Sequence, residues 1–334
     1  MHRLLSCLLL LTLAASAAGC DAFGGDADSA ERLFPATNDA KPVLIDQTGR
    51  VAVPLAGYDR AEAGGGGLTP ARRWDDGSFW DFFRASGDVA FTVRADEVRA
   101  PTQGRARVRV DGRWGVVDTE GRFVVNPYLH GARAFSEDHA AVRMPNYRWG
   151  LIDREGNTVV DATWEDLWSL SDGRARVRQG SAYGFIDASG EPIIEAEYED
   201  ARSFSDGRAA VRQGQWFFID RQGNRPLGSQ TFISAGDFGS GLAPVRTENQ
   251  WEFIDEGGRR RIAPQFDDAR GFVEDRAAVE VDGLWTFVRP DGSLIGPATY
   301  DDVDDFAGGL AAVRLDGLLG YIDTEGAVVW TPRR

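Results

Sequence analysis

From residue 31 to residue 334, apolar positions fall in short runs broken by polar and glycine-rich turns, and the pattern returns about every 34 residues. In Trp149-Gly150-Leu151-Ile152-Asp153, Trp, Leu and Asp share one face and Gly and Ile the other, by the two-residue period of a strand. Registered on Asp153, the copies fall at Asp46, Arg84, Asp118, Asp187, Asp220, Asp255, Arg289 and Asp323. A glycine follows three residues after every one, from Gly49 to Gly326. Trp80, Trp114, Trp149, Tyr183, Trp216, Trp251 and Trp285 stand four residues before it. Repetition at this period predicts nine tandem units that bury their apolar surface only by stacking on one another.

A second segment precedes each Trp strand, as in Gly173-Arg174-Ala175-Arg176-Val177-Arg178 and Gly207-Arg208-Ala209-Ala210-Val211-Arg212. We term it strand a and the Trp strand b. Turns such as Asp111-Gly112, Asp282-Gly283 and Asp316-Gly317 separate them. Asp-Gly between alternating strands predicts a type I′ hairpin, since both turn residues need positive φ. Strand b ends in Asp-x-x-Gly, where Asp can accept a backbone N–H two residues on and Gly takes the left-handed position. The Asp ladder therefore reads as turn chemistry, not as a row of catalytic acids. A third strand, c, follows, as at Val159-Val160 and Ile193-Ile194, then an aromatic such as Trp164, Tyr198 or Phe266, often trailed by acidic pairs such as Glu165-Asp166. Each unit is expected to be three short strands and a loop. Gly64–Gly67 is expected to be a long flexible turn that accounts for the 38-residue spacing from Asp46 to Arg84.

Both faces of strand b are apolar, so each unit is expected to lie between two neighbours. An open array needs polar caps, yet the ends carry Val43, Leu44 and Ile45 at one side and Leu318, Leu319 and Ile322 at the other. The fold expected is all-β, nine three-stranded units in a closed propeller-like ring, with an open β-solenoid as the alternative. Arg109 is expected to stack on the facing Trp114. Unit eight exchanges two charges, Glu280 and Arg289; they either meet between neighbouring units or coincide by chance.

Trp-Gly-x-Ile-Asp-x-x-Gly, an aromatic with acidic neighbours, then Phe-Ser-x-Gly-x-Ala-x-Val together resemble the bacterial WG repeat. The resemblance covers residues 31–334. It is strongest in units three to five, at Trp114-Gly115, Trp149-Gly150 and Tyr183-Gly184. Phe217, Glu252 and Thr286 replace the second-position glycine in units six to eight, and unit two has Asp81 there. The family implies no reaction.

The N-terminus changes the picture of where this body sits. Met-His-Arg, the apolar run Leu4–Leu13 and small residues up to Gly19 read as a secretory signal. Ala17-Ala18-Gly19-Cys20 resembles the lipobox of bacterial lipoproteins, which implies cleavage before Cys20 and its lipidation; an ordinary cleaved signal with a free thiol is the alternative. The expected organisation is a signal over 1–19, a lipidated Cys20 with an acidic tether over 20–30, and a repeat domain over 31–334. Asp21 resembles a retention residue of enteric lipoproteins. The expected location is the bacterial cell envelope, facing the periplasm or the surface, with membrane contact through the anchor alone. The chain carries a formal charge of −15, and −16 once Arg3 leaves with the signal. Nucleic acid, which is bound through basic patches, is therefore not an expected partner.

Candidate chemistry is sparse. His130 and His139 lack a Cys or His at metal-ligand spacing, and Gly64–Gly67 lacks the Lys-Ser/Thr of a phosphate loop. Asp301-Asp302-Val303-Asp304-Asp305 lacks the pattern of a calcium hand and reads as a solvated acidic edge. No cofactor or metal is expected. The Trp ladder could stack on sugars, but the inter-unit core is its plainer role. Trp74 and Trp168, outside the ladder in segments without regular pattern, are the candidate binding residues. Two functions remain: a non-enzymatic binding or scaffold lipoprotein for an envelope protein, peptide or glycan, or a glycan hydrolase or lyase using loop carboxylates.

Overall fold

The computed structural model describes residues 32–38, 41–75 and 77–331. The expected signal, Cys20 and the expected tether lie outside them. The described residues form nine antiparallel sheets and no helix, arranged as the blades of a closed nine-bladed β-propeller. Strands a and b pair as hairpins in every blade, for example His139–Arg143 with Trp149–Asp153. The Asp-Gly turns take the expected form, with φ of 49° and 75° at Asp111 and Gly112. At the b–c turn Asp153 Oδ1 accepts the N–H groups of Glu155 and Asn157 at 3.0 and 2.8 Å, and Gly156 has φ 85°.

The blades differ from the expected three strands. Six sheets have four, because the segment expected to be a loop is itself a strand paired to strand a, as in Asp166–Ser171 with Arg174–Gln179. It turns into strand a through two left-handed residues, such as Asp172 and Gly173 (φ 55° and 70°) or Glu274 and Asp275 (φ 50° and 60°). This inner strand packs on strands a and b of the preceding blade, while strand c forms the rim and leaves Phe123, Val159, Ile193 and Val328 exposed. Gly65–Leu68 is the same tight turn in blade 2, not a long flexible one. The extra length lies in the a–b hairpin, where residues 74–78 separate Arg73 from Phe79.

Consecutive inner turns are tied together. The Gly207 N–H donates to Asp172 of the preceding blade at 2.6 Å, Gly241 to Asp206 at 2.9 Å and Gly173 to Glu137 at 2.9 Å. The ring closes between blades 9 and 1 without a shared strand. Phe34, Ala36, Val43 and Ile45 form one buried cluster with Leu310 and Tyr321, the Tyr321 hydroxyl donates to the Pro35 carbonyl at 2.8 Å, and Gln47 donates to the Gly308 carbonyl at 3.0 Å. The apolar ends of the sequence therefore cap each other, and the open solenoid is excluded.

The second-position glycines of strand b have a steric cause. A Cβ on Gly150 would fall on the Val160 carbonyl oxygen and within 3.0 Å of the Ala162 nitrogen, both in strand c. Gly115 and Gly184 are similarly enclosed. Blades 6 and 8 lack strand c, and there Phe217 and Thr286 are buried in the space. Blade 2 places Asp81 instead, 1 % exposed, where it accepts from Tyr58, Arg73 and Thr92 at 2.5–2.9 Å. Burial first, and the facing Asp81 next, push the Tyr58 hydroxyl up to about 12.

Two charge expectations resolve differently. Arg109 pairs with Glu97 at 3.4 Å, whereas Arg246 does lie over Trp251 at 5.8 Å. Arg289 pairs with Glu325 of the next blade at 2.9 Å, and Glu280 lies opposite Trp285, so the exchange at unit eight was coincidence.

The turn carboxylates predict an acid-labile ring. Burial opposes ionisation of Asp118, Asp153 and Asp220, but backbone and side-chain donors outweigh it and hold all three below their ordinary value; in Asp187 the Ser189 hydroxyl leads. A depressed folded-state value contributes stability above the unfolded value near pH 3.9, lost as pH falls through the folded one. Glu62, Asp237, Asp304 and Asp305, raised by burial, act in the opposite sense. Because the turn Asp recurs around the ring, the melting temperature should fall between about pH 5 and pH 3. Asp118→Asn, which keeps the acceptor but not the titration, should shallow that slope; an unchanged or steeper slope would contradict the assignment.

Candidate functional site

The inner strands bring together residues that are far apart in the chain. After a small or apolar residue at Val98, Ala132, Leu167, Ala201, Ala235, Ala269 and Val303 stand, in order, Arg99, Arg133, Trp168, Arg202, Gly236, Arg270 and Asp304. Period two turns these side chains away from their own blade's core and toward the following blade beside the axis. Arg133 pairs with Asp166 of blade 5 at 2.8 Å, Arg202 stands 3.9 Å from Asp237 of blade 7, and Arg270 lies 3.7–3.8 Å from Asp302 and Asp305 of blade 9.

Trp168 is the centre of this belt on blades 4 to 6. Two guanidinium groups lie against its ring, Arg133 at 4.6 Å and Arg176, from strand a of its own blade, at 3.8 Å. Arg133 also lies 4.8 Å from Trp149. Arg176 donates to the Ala201 carbonyl of blade 6. Burial, and then the like charge of Arg133, lower Arg176 to about 10, which leaves it a cation at neutral pH. Asp237 beyond it is 20 % exposed at the side chain, with one carboxylate oxygen buried and lacking a hydrogen bond. Burial raises its pKa against the pull of Arg202 and Arg176. The result is a belt of arginine–aspartate pairs between blades, with Trp168 and the buried guanidinium of Arg176 at its centre.

The two tryptophans singled out by sequence are not neighbours. Trp168 is half-buried in the inner strand Asp166–Ser171 of blade 5, not in an irregular segment. Trp74 is 60 % exposed at the long hairpin tip of blade 2. The ladder tryptophans Trp114, Trp149, Trp216, Trp251 and Trp285 are half-buried against the inter-blade clusters. His130 contacts Arg113 and the Tyr147 ring, and His139 contacts the Glu137 carbonyl.

Acidic pairs after strand c have built-in partners. Glu165, Glu199 and Asp267 accept the N–H of the a–b turn of their own blade, at Gly180, Gly214 and Asp282. In the 301–305 run Asp301 accepts the Asp316 N–H, and Asp302 pairs with Arg314 at 2.9 Å.

Sequence reading missed Arg133, Arg202 and Asp237, because it took the inner-strand segment for a loop; it placed Arg176 on strand a but gave it no role. Asp172-Gly173 and Asp206-Gly207, the same hairpin signal used for strands a and b, mark that strand. The arginines recurring one residue after Ala132, Ala201 and Ala269 mark its axial position.

WG containing repeat, the family description that matches the chain, covers residues 114–146, 149–181, 183–215, 253–285 and 285–318. No curated protein matches. Among solved structures, one described as a eukaryotic initiation factor aligns with TM-score 0.62 and 10 % identity over 90 % of this chain and 95 % of its own. BamB from Moraxella catarrhalis aligns with TM-score 0.47 and 12 % identity over 89 % and 98 %. At 10 % identity the first of these shows a likeness of fold alone. This chain is a nine-bladed β-propeller that carries WG-containing repeats in five places.

Proposed function

We propose that this chain is a non-enzymatic binding module, anchored at the bacterial cell envelope through a lipidated Cys20, that receives an acidic peptide segment of a protein partner at its axis. The observation that carries the reading is the Arg133–Trp168–Arg176 stack with Arg202 beside it. Arg176, buried and held by a backbone carbonyl in place of a carboxylate, is the guanidinium best placed to meet a carboxylate, and Trp168 supplies apolar contact. A propeller axis gathers groups from several blades, which suits recognition. The engagement of Glu165, Glu199 and Asp267 in turn caps supports binding over hydrolysis, because a hydrolase needs two carboxyl groups free to act on substrate.

The test has two arms. A fluorescent Glu-rich peptide should bind the unlipidated 31–334 body, weaken with salt, and lose affinity with Arg133→Gln or Arg176→Gln but not with the exposed Arg50→Gln. Equal binding of the Gln-substituted peptide, or indifference to both axial substitutions, would overturn the axial reading. In cells, Cys20→Ser should move the protein from the membrane to the soluble fraction; a wild-type chain already soluble would overturn the anchor.

A further inference from the structure

At the hairpin end of blades 4 and 5, away from the axial arginines, a cleft of about 500 Å³ is lined by Arg148, Thr163, Trp164, Glu165 and Gln179. Its volume lies within the range of small-ligand sites, about 300–1,000 Å³. Trp164 occupies the position paired to the strand-b aromatic, which in blades 3, 5 and 7 is filled by Leu129, Tyr198 and Phe266. Those three are at most 5 % exposed, whereas Trp164 is half-exposed to the cleft. The repeat is thus more open here than in blades 3, 5 and 7; Tyr300, bridged to Trp285, is half-buried in the same way.

The walls around the indole are held in place by ion pairs and hydrogen bonds. Glu165 accepts the Gly180 N–H at 3.0 Å and stands 3.5 Å from both Arg148 and Arg178. Asn146 donates to the Ala162 carbonyl at 3.1 Å, which ties the 144–148 hairpin, and with it Arg148, to strand c. The side-chain amide of Gln179 and the indole N–H of Trp164 make no hydrogen bond among the described residues. An aromatic plate, a Glu165 engaged by two arginines and uncommitted donors and acceptors offer stacking and hydrogen bonds together. They match a ring with an apolar C–H face and hydroxyls on its edge.

We infer that this cleft is a saccharide subsite that takes a neutral pyranose unit stacked on Trp164, its hydroxyls bonded to Gln179, Thr163 and the Glu165–Arg148 pair. It is separate from the axial peptide site, so either can fail alone. The experiment is calorimetric titration of the 31–334 body with chitotriose, cellotriose and maltotriose at millimolar concentration. At least one should bind. Trp164→Ala should weaken it about tenfold or more, which corresponds to roughly 1.4 kcal/mol. Gln179→Ala, at an exposed position that the fold does not need, should weaken it severalfold with no change in melting temperature, which guards against a misfolded Trp164 variant. Trp74→Ala and Arg176→Gln should leave it unchanged. Failure of all three sugars to bind, or binding indifferent to both Trp164→Ala and Gln179→Ala, would overturn the proposal.

Discussion

Gly150→Val is expected to cost about 3 kcal/mol or more and to lower the melting temperature by roughly 5–10 °C. The first added carbon would overlap the Val160 carbonyl and crowd Ala162, so strands b and c of blade 4 could not keep their register. Both obstacles are backbone atoms in a paired strand, which have little room to yield. Gly112→Ala separates sterics from backbone conformation. Gly112 has φ 75°, but nothing lies within 4 Å of its would-be Cβ, so its cost should stay near 1–2 kcal/mol. The reciprocal change, Phe217→Gly in a blade without strand c, should cost about 3–5 kcal/mol, because it leaves a cavity beneath Tyr198 and Arg225. Thermal or denaturant unfolding measures all three, and equal costs for Gly150→Val and Gly112→Ala would refute the steric account.

Opening the seam should be the second large effect. Tyr321→Ala is expected to cost about 3–5 kcal/mol. It removes a ring 5.6 Å from Phe34 and the donor that Pro35 receives across the junction of blades 9 and 1. Tyr321→Phe keeps the ring and removes only the donor, at about 1–3 kcal/mol. The seam has no chain connection to hold it, so its blades should open before the others. Hydrogen exchange should accelerate first in residues 34–54 and 310–330. Uniform acceleration around the ring would show instead that the propeller unfolds as one unit and that the seam is no weaker than any other junction.

How far the sequence leads depends on where each physical cause resides. Turn chemistry is local: Asp-x-x-Gly at Asp153–Gly156 and Asp-Gly at Asp111-Gly112 need only their own backbone, and both were legible. So were the nine units and the closing of their apolar ends, since periodicity and the unsatisfied faces of Val43–Ile45 and Ile322 are properties of the string itself. The inner strand was lost because it is two residues long in Gly131–Ala132 and Asp200–Ala201, and where it is six, as in Asp166–Ser171, a shift of register between Leu167 and Leu170 breaks the alternation.

The rest required the ring. The glycine at Gly150 is dictated by the close passage of strand c, not by its own φ, and its replacement by Phe217 or Thr286 makes sense only once strand c is seen to be missing from those blades. Arg133, Arg176, Arg202 and Asp237 carry no local signature of a site, because their meaning arises from blades that bring residues about 33 to 61 positions apart into contact or electrostatic reach. By itself the sequence determined the repeat, its hairpins and its tendency to close, all of which follow from short-range backbone preference and apolar period. Only the tertiary structure decided which arginines face the axis, which carboxylates are held in turn caps and which tryptophan the repeat leaves open, because burial and charge proximity depend on neighbours that the chain order does not name.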